Sequence, residues 1–178
     1  MLKKHPNTPA HLFLDDAPYF LTSAIYQHRR LLSSATIKNH LLMTIQNCVS
    51  EKGWSLTDWV ILDEHYHLLV VSHKGEDLNK IIGKIHMLSA KFIGEQIHAE
   101  KPIWYNYWDY CPRTDRDYLI RQNYLFNNPV KHGYVKNLYD YPFSSFHQQV
   151  AQWGREVLVK RFKENSEYRS LQLEEDNF

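Results

Sequence analysis

Ile61-Leu62-Asp63-Glu64-His65-Tyr66-His67-Leu68-Leu69-Val70-Val71 is the stretch whose reading decides the fold. Its second half has the composition of a β-strand, and residues two apart on a strand share a face. His65 and His67 therefore project together, while Tyr66 and Leu68 point the other way. The apolar run Trp59-Val60-Ile61-Leu62 lies just upstream, with only Asp63 and Glu64 left to turn. Two strands, near 56–62 and 65–73, are thus predicted to form an antiparallel hairpin. Two imidazoles on one rigid face can hold a metal ion if another part of the chain supplies a third group. A His-x-His pair can equally be two half-exposed strand histidines, so the rest of the chain has to decide.

Upstream, Pro18-Tyr19-Phe20-Leu21-Thr22-Ser23-Ala24-Ile25-Tyr26 is aromatic and β-branched, a first strand after a loop or arm over 1–16. Ser33-Ser34 can cap a helix running to about Lys52, with Ile37, Leu41, Ile45 and Val49 along one face and Gly53 at its end. Downstream of Lys74-Gly75, a second helix spans about 77–98. Its stripe is Leu78, Ile81, Ile82, Ile85, Leu88, Phe92 and Ile93, and Lys80, Lys84 and Lys91 lie on its other faces. Those lysines read as a solvated face or as a phosphate-binding edge. Pro102 breaks the helix, and Ile103-Trp104-Tyr105-Asn106-Tyr107-Trp108-Asp109-Tyr110 is a dense aromatic strand. Core takes most of these rings; one or two left exposed would offer faces for unpaired bases to stack on.

Thr114 and Asp117 make a capping-box-like pair opening a third helix through about Asn128, where Pro129 ends it or begins the next turn, with Gly133 marking a further break. Residues 138–178 read as a loop, a short helix near 146–153, and a charged, frayed tail ending in Glu174-Glu175-Asp176. The order β-α-β-β-α-β is that of an α+β, ferredoxin-like fold. Its antiparallel sheet carries two helices on one face, and additional C-terminal helices follow. The other face is left for a site that the later helix could roof.

The chain has 178 residues, 43% hydrophobic and 14% aromatic, which suits one globular domain. A net charge of +1 gives no bulk attraction for nucleic acid, so DNA binding would have to use a local groove. Cys48 and Cys111 have no zinc-type spacing, no apolar run approaches a membrane span, and the N-terminus lacks a signal-peptide core. A reduced, cytoplasmic protein with no membrane contact is expected.

Within the third helix, Tyr124 and Asn128 stand at i and i+4 and so share a face. Together they could bring a phenol and an amide oxygen to a metal on His65 and His67. Read separately, they are also a core tyrosine and a helix terminator.

The run Tyr124-Leu125-Phe126-Asn127-Asn128-Pro129-Val130-Lys131-His132-Gly133-Tyr134-Val135 resembles the YIxxNPVKHGLV signature of REP-associated tyrosine transposases. These are relatives of the single-tyrosine insertion-sequence transposases in the HUH endonuclease superfamily. His65-Tyr66-His67-Leu68-Leu69-Val70 resembles that family's HxHLLV strand, Pro18-Tyr19-Phe20-Leu21-Thr22 its first strand, and Trp108-Asp109 with Arg113-Thr114-Asp115-Arg116-Asp117 its approach to the third helix. The similarity covers roughly residues 8–148 in family order. It implies a single-tyrosine transposase-like domain over 1–150, with 151–178 as its helical, charged tail.

The resemblance further implies a metal-dependent endonuclease and strand transferase acting on single-stranded or hairpin DNA, with Mg2+ or Mn2+ as cofactor. His65 and His67 would be metal ligands, Asn128 a third, and Tyr124 the nucleophile forming a 5′-phosphotyrosine. A free tyrosine titrates near pH 10 (roughly), so Tyr124 would need activation by the metal or a nearby base. Candidate phosphate contacts are Arg29, Arg30, Lys80, Lys84, Lys91, Arg113, Arg116 and Lys131. Relatives occur as monomers and as dimers with shared sites, so a homodimer stays open. Leu62-Asp63-Glu64 departs from the family's Met-Pro-Asn before the first histidine, and Tyr118 with Gln122 offers a second Tyr-x-x-x-amide spacing. Two rival readings remain: a non-catalytic nucleic-acid-binding regulator on the same fold, and a hydrolytic metallonuclease for which Tyr124 is dispensable.

Overall fold

A computed structural model describes residues 13–173; the expected arm over 1–12 and the acidic 174–178 lie outside the described residues. The elements run β1 (Pro18–Ile25), α1 (Ala35–Glu51), β2 (Ser55–Ile61), β3 (His65–Val71), α2 (Leu78–Ile97), β4 (Trp104–Tyr110), α3 (Asp115–Lys131), α4 (Phe146–Trp153) and α5 (Arg155–Glu164). The four strands form one sheet in the order β2-β3-β1-β4. All three pairings are antiparallel, as the ferredoxin-like order requires. Leu62 donates its N–H to the His65 carbonyl at 2.9 Å, closing the expected two-residue turn at Asp63-Glu64.

Strand alternation sorts the apolar residues into two cores. Tyr19, Leu21 and Ile25 of β1 and Tyr66, Leu68 and Val70 of β3 pack under Ile37, Leu41 and Ile45 of α1 and Ile81, Ile82 and Ile85 of α2. Phe20, Val60 and Leu69 face the opposite way, against Tyr124, Leu125 and Phe126 of α3 and Phe146 and Leu158 of α4 and α5. Burying each such side chain is worth about 1.5–3 kcal/mol, so a one-residue slip of β3 would invert both layers at once. Register here is therefore strongly specified, and with it the direction in which the two histidines point.

Several expectations are corrected. Pro129 does not end the third helix: α3 continues to Lys131 with Pro129 inside it. A proline this late forgoes one i→i−4 bond but leaves the remaining turn intact. The helix stops at Gly133 (φ +72°), where Tyr134 N–H reaches the Pro129 carbonyl (2.9 Å) and Gly133 N–H the Val130 carbonyl (3.0 Å). That bond pair is a Schellman motif, and it needs a residue in left-handed conformation. At the other end Thr114 accepts from Asp117 N–H as expected, but Asp117 answers to the N–H of Arg113 rather than of Thr114. Ser34 occupies the N-cap position of α1 without a side-chain capping bond. The stretch expected to be a frayed tail folds as α5 and a 3-10 turn over Ser166–Arg169, with Leu158, Tyr168 and Leu173 buried. The Asn123 side chain holds this segment to α3 by donating to the carbonyls of Arg161 (3.1 Å) and Asn165 (3.3 Å).

Candidate active site

α3 crosses the face of the sheet opposite α1 and α2, over β2 and β3. There His65, His67, Tyr124 and Asn128 come together within one chain, at 9%, 1%, 2% and 0% exposure. His65 Nε2 lies 2.9 Å from Asn128 Oδ1. The rings of His65 and His67 are 4.9 Å apart, and the Tyr124 ring stands edge-on to His67 at 5.5 Å. The i, i+4 spacing on α3 and the i, i+2 spacing on β3 thus meet as the sequence implied.

The polar atoms of this cluster are oriented. Thr22, paired across the sheet with His67, holds His67 Nδ1 at 2.7 Å through Oγ1. That contact leaves His67 Nε2 buried without a hydrogen-bond partner, as is Asn128 Nδ2. Burial, reinforced by His65, His132 and Lys131, pushes the His67 pKa well down and keeps the ring neutral. A neutral imidazole with a buried nitrogen that has no hydrogen-bond partner has the chemistry of a donor that could take a metal ion. Among the described residues no group of three His, Cys, Asp or Glu side chains surrounds a metal position. The donor set that fits an ion is instead two imidazoles and one amide oxygen, suited to manganese better than to magnesium.

Glu64 is turned toward this centre, and Asp63 away from it. Glu64 Oε1 lies 3.3 Å from His65 Nδ1, and its other oxygen accepts from the Tyr134 hydroxyl at 3.0 Å. Burial opposes its charge, but the contacts to His65 and Tyr134 outweigh it and bring the Glu64 pKa down to about 2. Asp63 instead binds Arg30 (2.5 Å) and the buried Lys38 (2.7 Å), which also reaches the Tyr141 hydroxyl. A cavity of about 100 Å³ is walled by Thr22, Ala24, His28, Glu64, His65, His67 and His132. A wider hollow of about 520 Å³ shares His28, Glu64 and His132 and adds Arg30, Gly133 and Tyr134.

Lys131, counted from sequence among the phosphate contacts, donates to the Tyr124 hydroxyl at 3.0 Å. Tyr118 does not compete for the site. Its hydroxyl meets Thr57 Oγ1 at 3.1 Å, and Gln122 donates to the buried Asp58 at 2.9 Å. The second Tyr-x-x-x-amide spacing therefore tethers α3 to β2 and serves the fold.

The remaining candidate cations divide by location. Arg30 lines the wider hollow. Arg29 donates to the carbonyls of Tyr26, Glu100 and Pro102. Lys80 and Lys84 are paired with Asp77 (2.9 Å) and Glu51 (2.5 Å), and Lys91 lies 4.0 Å from Glu95, all on α2 behind the sheet. Arg116 pairs with Glu167, and Arg113 is exposed beside it at the start of α3. Thr22, His28, His132 and Tyr134 were not singled out as site residues from sequence. His132 stood inside the quoted Asn-Pro-Val-Lys-His-Gly run, and its ring lies 5.1 Å from that of His65. Thr22 gave no signal until the register set it beside His67.

A family model described as IS200-like transposase matches residues 19–111, more than half of the chain, from β1 to the end of β4. The chain belongs to the IS200-like transposase family. It is accordingly an enzyme of the transposase class. The REP-associated tyrosine transposase of Escherichia coli K12 is 28% identical over 144 residues, 78% of this chain and 82% of that protein. A putative REP-associated tyrosine transposase of Haemophilus influenzae is 34% identical over 103 residues, 51% of this chain and 57% of that one. Among solved structures, a REP-associated tyrosine transposase bound to a REP hairpin superposes with a TM-score of 0.68 at 27% identity, covering 82% of this chain and 86% of that one. The matched family segment stops before α3, so the placing of Tyr124 and Asn128 beside the histidines stands on the geometry above.

Proposed function

We propose that this transposase cleaves and rejoins single-stranded DNA beside a hairpin through a covalent bond to Tyr124. The observation that carries this reading is the convergence of Tyr124, His65, His67 and Asn128 in one buried cluster, with Lys131 on the tyrosine hydroxyl. A hairpin substrate is supported by the related transposase solved with a REP hairpin.

The nucleophile is the Tyr124 oxygen. It attacks the scissile phosphorus as its proton passes to solvent, the bond from phosphorus to the 3′ oxygen breaks, and the departing 3′ oxygen takes up a proton from solvent. The products are a 5′-phosphotyrosine and a 3′-hydroxyl. A phosphotyrosine keeps the diester linkage, so a second 3′-hydroxyl can reverse the step and join strands without ATP. The Lys131 ammonium holds the Tyr124 oxygen and offsets its negative charge as its proton leaves. His65, His67 and Asn128 would hold a divalent cation, Mn2+ or Mg2+. Bound there, it would draw charge from the phosphate oxygens in the transition state. Thr22 and Glu64 fix the two imidazoles by their Nδ1 atoms, keeping Nε2 toward the centre. Arg30 at the wider hollow is placed for a backbone phosphate.

Incubation with a labelled hairpin bearing a single-stranded flank, plus Mn2+, tests this on a denaturing protein gel. A labelled adduct is expected from the native chain and not from Tyr124→Phe or His65→Ala. Cleavage that persists in Tyr124→Phe without adduct would replace this reading with a hydrolytic metallonuclease. Binding without cleavage would leave a regulator.

A further inference from the structure

We propose that Tyr26, Tyr105 and Trp108 form a stacking platform for the unpaired bases next to the scissile phosphate; this rests on the single-strand reading above. β1 and β4 pair from Phe20↔Tyr110 to Ser23↔Tyr107, then the register shifts before Ile25↔Trp104. Tyr105 and Asn106 therefore oppose the single residue Ala24, which is a β-bulge. Bulges of this kind re-aim side chains and concentrate beside active sites.

The result is a division of the aromatic strand. Trp104 and Tyr107 turn toward α2, where they bond Ser89 (2.9 Å) and Asn79. Trp108 lies across from Thr22, the residue that orients His67, and so belongs to the active-site face. Tyr105 stacks on Trp108 (centroids 5.9 Å, 27° between planes), and Tyr26 stacks on Tyr105 (6.2 Å, 30°). α3 lies over β2 and β3, and on the β4 side Tyr105 is 42% exposed. The row thus runs from the buried Trp108 on the active-site face to the exposed Tyr105, with the half-buried Tyr26 at its outer end.

The corner carrying this row is held in an unusual backbone shape. Gln27 (φ +58°) and His28 (φ +49°) follow Tyr26, two consecutive non-glycine residues in the left-handed region. Such residues persist where surrounding contacts over-determine them, and they cluster at ligand sites. Arg29 supplies those contacts by bonding the carbonyls of Tyr26, Glu100 and Pro102, tying the corner to the entry of β4. The turn also delivers His28 into both active-site cavities. Platform and catalytic pocket are therefore joined by a strand register, a bulge and one clamped turn. Every base has a π-face, so the platform can hold the unpaired strand by stacking and sets how far that strand is held from the hairpin.

Tyr105 is the residue to change, since it is exposed and its replacement leaves the core intact. Two probes serve: a DNA hairpin with a four-nucleotide 5′ flank of randomised sequence, and the same hairpin with no flank. Tyr105→Leu should bind the flanked probe about 5- to 150-fold more weakly, the loss of one stacked base, while Tyr105→Phe binds it as the native chain does. The loss should be confined to the flanked probe. With 2-aminopurine in the flank, the native chain should quench its fluorescence, and Tyr105→Leu should not. Equal affinity of native chain and Tyr105→Leu for the flanked probe would overturn the platform and leave Tyr124 chemistry standing. An equal loss on both probes would also overturn it. Failure of the native chain to prefer the flanked probe would overturn both readings.

Discussion

Replacing Lys131 by methionine separates the phosphate contact expected from sequence from the bond to the Tyr124 hydroxyl seen in the structure. The ammonium sits 3.0 Å from the Tyr124 hydroxyl and 4.8 Å from its ring centre, and methionine keeps the length of the side chain without the charge. A hydrogen bond to a charged group is worth about 1.5–3 kcal/mol, which as a barrier corresponds to roughly a 10- to 150-fold change in rate. The stem of Lys131 is exposed on the last turn of α3, and solvent screening places the effect near the lower end, about 10-fold. The assay is the single-turnover rate of adduct formation at saturating hairpin, with binding measured separately across a salt series. A slower rate with little change in affinity is expected. If Lys131→Met leaves that rate untouched and instead weakens binding while flattening its salt dependence by about one phosphate contact, the lysine serves DNA and the account of Tyr124 is refuted.

Glu64→Gln should weaken Mn2+ binding by about 10- to 100-fold in titration calorimetry, as loss of a carboxylate behind a ligand histidine usually does; unchanged affinity would remove Glu64 from that role. Burial, opposed by hydrogen bonds from Gln122, Ser145 and Gln149, raises the Asp58 pKa to about 6. A raised folded-state value favours the fold below the unfolded pKa, near 3.9 (roughly), and that contribution is lost as pH rises through about 6. Asp58→Asn should therefore gain on the native chain between pH 4 and 7 (about), by an order-of-magnitude 3 kcal/mol in urea denaturation; a constant difference across that window would contradict it. Lys38→Met leaves the buried Asp63 with only the exposed Arg30 and should cost about 3 kcal/mol of stability, part of which Asp63→Asn in the same chain restores. No recovery in the double variant would mean that lost packing, rather than the stranded charge, causes the defect.

The parts of the site legible in sequence are those set by local period. The i, i+2 histidines of β3 and the i, i+4 pair on α3 needed only strand and helix geometry, and the hairpin needed only the two-residue turn at Asp63-Glu64. What sequence hid depends on contacts between distant segments. Thr22 matters because register sets it opposite His67, and Asp63 is structural because Lys38 comes to it from α1. The bond from Lys131 to Tyr124 was hidden because nothing local tells a lysine aimed at solvent from one aimed at a hydroxyl two turns back on the same helix face. Pro129 misled as a breaker, since the rule concerns the lost N–H and ring clash in a helix interior, and here Gly133 supplies the stop. α5 was hidden by its charge: Leu158 is its one fully buried residue, and its docking rests on Asn123 of α3. The bulge that turns Tyr105 outward left no mark in the aromatic strand itself, whose residues all favour β structure.

The central claim is that Tyr124 carries the DNA during the reaction. The most direct measurement is to trap the adduct with a flanked hairpin, digest protein and DNA, and map the nucleotide-bearing peptide by mass spectrometry. The account predicts a single modified residue, Tyr124, bearing a 5′-linked nucleotide. A nucleotide on Tyr118, whose hydroxyl faces Thr57 rather than the histidines, would contradict it, as would a cleaved hairpin with no modified tyrosine.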